Sequence, residues 1–75
     1  MVFEMLRDFL SESLGCDAEE ITLRSELRED LGLSDTGLEE VMDAMSGELG
    51  FRYDADDLSG VATVAQLVRF ISNLI

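Results

Sequence analysis

Lysine, histidine, proline and tryptophan are all missing from this 75-residue chain, and cysteine occurs once. Each absence closes a class of function. Without histidine the usual Cys/His zinc spacings cannot be built, and a lone Cys16 cannot close an internal disulfide, so the fold rests on its apolar core. With five arginines as the whole cationic complement against 17 acids, the formal net charge is −12. Such a surface repels phosphate backbones and anionic lipid, which argues against nucleic-acid and membrane binding. It favours a partner carrying basic patches, reached by electrostatic steering, although an acidic surface also serves simple solubility. The amino-terminal Met1-Val2-Phe3-Glu4-Met5 lacks the basic region of a signal peptide. No apolar run approaches the roughly 20 residues that span a bilayer. The expectation is a single domain over residues 1–75, monomeric and cytoplasmic.

What is present is 47% hydrophobic residues with helical spacing, which predicts an all-α bundle. Val2, Met5, Leu6, Phe9, Leu10 and Leu14 recur at steps of three and four, predicting a helix over 2–14 that Gly15 stops. Residues 16–33 have no sustained period. Ile21, Leu23, Leu27, Leu31 and Leu33 stand there as isolated apolar anchors, predicting a long loop pinned over the core. A second helix is predicted over 35–49, with Leu38, Val41, Met42, Met45 and Leu49 facing inward and Glu39, Glu40, Asp43 and Glu48 outward. Gly37 and Gly47 weaken it by about 1 kcal/mol each relative to alanine, and Gly50 ends it. A short acidic helix is predicted over 54–59. The last, over 63–74, is opened by the capping-box pattern Thr63-Val64-Ala65-Gln66 and is expected to pack on the first. The predicted core is Phe9, Leu10, Leu14, Leu27, Val41, Met42, Met45, Leu49, Val64, Val68 and Ile71.

Catalytic chemistry finds little support. Glu39/Glu40 and Asp56/Asp57 are paired carboxylates on charged faces, where the burial that would tune a catalytic acid is absent. Asp54-Ala55-Asp56 begins like a calcium loop, but Ser59 and Ala65 stand where that loop needs glycine and glutamate. Cys16 is followed by Asp17, which disfavours a thiolate. Met5, Met42 and Met45 lie on apolar stripes and read as core, with an adaptability that would also suit a core parting for an acyl chain. No nucleophile-base pair or metal motif emerges, so the chain reads as a non-enzyme.

The order of long helix, anchored loop, helix opened by Glu29-Asp30-Leu31-Gly32-Leu33-Ser34-Asp35, short acidic helix and capped final helix resembles the acyl carrier protein family. The likeness spans essentially the whole chain without gaps. Leu14-Gly15 closes helix one, Glu19-Glu20-Ile21-Thr22 enters the loop, and Leu27 precedes Glu29-Asp30-Leu31-Gly32. The run Val41, Met42, Met45 and Leu49 and the ending from Thr63-Val64 to Ile71 stay in register. The resemblance implies a four-helix carrier fold with a short third helix. It also implies 4'-phosphopantetheine as cofactor, attached to a serine in Asp-Ser-Leu at the start of helix two, on which acyl groups travel as thioesters in fatty-acid or polyketide-type biosynthesis. Implied partners are basic patches of acyl-transfer or synthase enzymes and a phosphopantetheinyl transferase.

In that register Asp-Ser-Leu falls on Ser34-Asp35-Thr36, so the family attachment position is Asp35, which has no hydroxyl. The neighbouring Ser34 sits about 100° around and 1.5 Å along a helix from it. Either the arm has moved to Ser34, or attachment is lost. In the second case Ser34 caps the helix, Asp35 complements its dipole, and the chain is a carrier-like interaction module that never bears the arm. The family's partner-docking surface falls on Thr36, Glu39, Glu40 and Asp43, more polar and acidic than the apolar residues the family usually places at three of these positions.

Overall fold

The computed structural model describes residues 2–75. It contains α1 (Val2–Leu14), α2 (Asp35–Leu49) and α3 (Val64–Leu74), with short 3-10 helices at Ala18–Glu20 and Ala55–Gly60. α1 lies between the other two and contacts both. Among the described residues the sole strand-like pairing is an isolated antiparallel bridge between Glu26 and Thr63, so the predicted all-helical class holds.

The helix ends follow from local chemistry. Gly50 terminates α2 in the left-handed conformation (φ 73°, ψ 37°), which a Cβ would strain, and its N–H donates to the Ser46 carbonyl at 2.8 Å. Gly15 stops α1 in the same region of backbone space (φ 67°). The predicted short third helix is a 3-10 helix. Asp54 turns its side chain onto the Asp56 N–H at 3.0 Å, and the chain then closes i to i+3 bonds from Asp57 to Asp54 and from Val61 to Leu58. A segment this short, with one buried anchor in Leu58, completes its bonding in the tighter geometry. The 3-10 turn at Ala18–Glu20 falls inside what the sequence predicted as loop.

The long loop is stitched to the start of α3. Leu27 N–H donates to the Ala62 carbonyl at 2.8 Å, while the Ser25 and Leu23 carbonyls accept from Val64 and Ala65 at 3.0 and 2.9 Å. Thr63 Oγ1 accepts from Gln66 N–H, and Gln66 Oε1 accepts in return from the Thr63 and Ala62 N–H groups. The orphan donors that every helix start presents are thereby satisfied at α3 by the loop and the capping box together.

Leu6, Leu10, Leu27, Met42, Met45, Val64, Leu67 and Ile71 are the side chains most completely removed from solvent. Phe9, Leu14, Leu49 and Val68, predicted as core, are half-buried and pack on its edge. An apolar helical stripe is wider than the line of full coverage, and the central line runs through Leu6 and Leu10 in α1 and through Val64, Leu67 and Ile71 in α3. Of the loop anchors, Ile21, Leu27 and Leu33 are buried and Leu31 is half-buried, but Leu23 stands 46% exposed because only its carbonyl is engaged. Phe51 and Leu58, outside the predicted core, are buried from the connection between α2 and α3.

Candidate functional site at the start of α2

Leu33 is the last loop anchor, and its burial sets where the chain turns into α2. Ser34 follows in extended backbone (φ −80°, ψ 168°) as the N-cap, its Oγ accepting the Gly37 N–H at 3.0 Å. The side chain is exposed, and the hydroxyl's own proton meets no protein acceptor among the described residues. Gly37 makes this arrangement possible. A Cβ there would stand 2.9 Å from Leu33 Cδ1 and 3.3 Å from Ser34 Oγ, so the helix propensity lost at this position secures both the anchor and the cap.

Asp35 is the first residue of α2, where a negative charge complements the helix dipole. Its carboxylate forms an ion pair with Arg28 from the loop, and both side chains remain mostly exposed, so the contribution to stability is small. Sequence reasoning missed Arg28, since nothing in its spacing announces that the loop returns it to the helix start. Arg28, Asp35, Leu38, Glu39, Ala55, Asp56, Leu58 and Ser59 line a cavity of about 250 Å³ beside this entrance.

Thr36, Glu39, Glu40 and Asp43 are exposed along α2, as predicted. Tyr53, also missed, reaches back to this face. Its hydroxyl donates to Asp43 Oδ1 at 2.6 Å, with the Glu39 carbonyl a longer alternative at 3.4 Å. The Asp43 hydrogen bond, together with desolvation and the nearby negative charges, pushes the phenol up to about 12. Ring contact with Phe51, centroids 6.3 Å apart, helps hold Tyr53 in place. A second cluster stands in the loop, where the Glu29 side chain and the negative charges of Glu29 and Asp30 raise the Glu26 carboxyl above its ordinary value. The other residues singled out in the sequence have structural places: Met42 and Met45 are fully buried, Met5 and Cys16 are half-buried, and Asp54 caps the second 3-10 helix.

Residues 4–71 match the phosphopantetheine attachment site family. The chain belongs to the acyl carrier protein family. It is 36% identical to an acyl carrier protein of Saccharopolyspora erythraea over 74 residues, covering 99% of this chain and 78% of that protein. Acyl carrier proteins of Clostridium acetobutylicum and Thermotoga maritima are 31% and 30% identical, over 95% and 93% of this chain and 92% and 86% of theirs. The family's prosthetic group is 4'-phosphopantetheine, and an acyl carrier role follows from membership. The fit of that group divides between two adjacent residues. Asp35 offers a carboxylate engaged with Arg28 and cannot take a phosphodiester; Ser34 offers an exposed hydroxyl at the helix mouth with its proton unengaged.

Proposed function

We propose that the chain is a divergent, non-catalytic acyl carrier domain that bears its phosphopantetheine on Ser34 instead of at the family position occupied by Asp35. The observation that carries this reading is the exposed Ser34 hydroxyl, fixed by Leu33 and Gly37 at the open end of α2. When bound, the arm supplies a terminal thiol on which an acyl group is held as a thioester. The chain's own residues present and orient the attachment point. The Gly37 N–H holds Ser34 Oγ through a lone pair and leaves the O–H free, while Arg28 draws the Asp35 carboxylate into an ion pair. Thr36, Glu39, Glu40 and Asp43 present an acidic surface to basic patches on a transferase and on acyl-transfer or synthase enzymes of fatty-acid or polyketide-type pathways. A monomer working in the cytoplasm fits this role.

One observation favours a second reading. Ser34 also works as a helix cap and Asp35 as a first-turn anion, the roles these residues would have in an interaction module that never carries the arm. Intact mass after incubation with coenzyme A and a broad-specificity phosphopantetheinyl transferase separates the two. The carrier reading predicts addition of one arm to the wild type, loss of that addition in Ser34→Ala with the helical spectrum retained, and greater modification of Asp35→Ser. An unmodified wild type beside a modified Asp35→Ser would establish the module reading.

A further inference from the structure

A largely apolar groove lies away from the start of α2. Phe3 and Arg7 on the first two turns of α1 face the Ile21–Arg24 segment across an open groove of about 650 Å³, larger than the cavity beside Asp35. Ile21 forms its floor and Leu23 projects from its side, 46% exposed. The segment is rigidly placed: Ser25 Oγ accepts the Thr22 N–H at 3.0 Å, and the Leu23 carbonyl is tied to α3 through Ala65. Side chains here stand on fixed backbone, as a recognition surface requires.

The charge of the groove runs against that of the protein. Two of the five arginines, Arg7 and Arg24, line it in a chain of net charge −12, and among the described residues the ion pair of the molecule is made elsewhere, by Arg28. The Arg7 guanidinium lies over the Phe3 ring at 5.4 Å, and its Nε is buried with no hydrogen-bond acceptor among the described residues. A buried donor without a partner is costly, so the guanidinium at this groove is incompletely satisfied by the fold itself. Glu19 on the rim is the one opposing charge.

We infer that this groove is a second docking surface, opposite in polarity to the α2 face, and that its occupant is an apolar segment of a partner protein carrying a carboxylate. The carboxylate pairs with the guanidinium forks of Arg7 and Arg24, and a leucine-sized side chain covers Phe3, Ile21 and Leu23. A basic segment would gain no ion pair from the two arginines. The inference is independent of whether Ser34 carries an arm.

The test is an amide-shift titration of the 15N-labelled full chain with an amphipathic peptide of leucine, alanine and glutamine bearing two glutamates four residues apart. Its counterpart with both glutamates replaced by glutamine is the control. The glutamate peptide should shift Phe3, Arg7 and Ile21–Arg24 saturably, with half-saturation below about 1 mM, and the control should bind at least about fivefold more weakly. Arg24→Gln and Leu23→Ser, both at exposed positions, should weaken binding by a similar factor, and Glu19→Gln should strengthen it. Absence of saturable shifts, equal binding of the two peptides, or shifts confined to Thr36–Asp43 would overturn the proposal. So would decanoate shifting these residues where the peptide does not, which would assign the groove to free fatty acids. The peptide pair decides on the wild type alone should a variant fail to fold.

Discussion

α2 and α3 begin with the same device, a hydroxyl residue whose oxygen accepts an N–H three residues on, yet the two entrances differ in how far their surroundings close them. At α3, Thr63 is one strand of a closed net: Gln66 returns the bond, and the Ser25 and Leu23 carbonyls take the Val64 and Ala65 N–H groups. At α2, the Ser34 side chain makes a single bond, from the Gly37 N–H, and its neighbours Asp35 and Thr36 are exposed. The first arrangement locks a loop to a helix. The second leaves a hydroxyl exposed on a fixed backbone, which suits a site that another protein must reach.

Removing each cap should separate the two entrances by the largest difference in stability. Thr63→Ala should cost about 1–2 kcal/mol in urea unfolding, because the Gln66 N–H loses its acceptor at a junction shared with the loop. Ser34→Ala should cost about 0.5–1 kcal/mol, since water replaces an exposed acceptor there. Equal losses would mean that the loop adds nothing to the α3 entrance.

The two glycines inside α2 should respond differently to alanine. Gly47 has open space around a built Cβ, so Gly47→Ala should raise stability by about 1 kcal/mol through helix propensity alone. Gly37→Ala should show no such gain and should disturb the Ser34 cap, because the new methyl meets buried Leu33 and the capping oxygen. The sequence marked both glycines as weak points in a helix. It could not distinguish them, because the distinction lies in where the Leu33 side chain passes.

Tyr53 gives the smallest effect on the fold and the cleanest signal. As the one tyrosine in a chain without tryptophan, it can be titrated by its ultraviolet absorbance without interference. Its midpoint should lie at about 12, and Asp43→Asn should bring it down toward the ordinary value of 10. Since the folded pKa is the higher one, the Asp43 hydrogen bond contributes fully below pH 10 and is lost as pH rises from 10 through about 12.

The elements that local sequence rules govern were legible. Gly15 and Gly50 as stops, the Thr63 capping box, and the start of α2 after Ser34 each depend on residues within one turn of each other. What was not legible depends on long-range returns of the chain. Arg28 meets Asp35 and Tyr53 meets Asp43 because loops fold back onto α2, and no spacing encodes that. In α1 and α3 the predicted core was right at Leu10, Val64 and Ile71, but it took in Phe9 and Val68 at the margin of the apolar stripe and left out the fully buried Leu6 and Leu67. At Ser34 and Asp35 the family pattern named candidate residues, and the structure shows Ser34 capping α2 and Asp35 paired with Arg28.

One helix entrance is sealed and the other is open. Residue-resolved amide hydrogen exchange tests it directly. Val64, Ala65 and Gln66 should be protected to near the level of global unfolding, because the loop carbonyls and Thr63 hold their N–H groups, while Asp35 and Thr36 should exchange within the dead time of the experiment. Comparable protection at both entrances would contradict the account, showing that the start of α2 is as closed as that of α3 and that its hydroxyl is a structural cap alone.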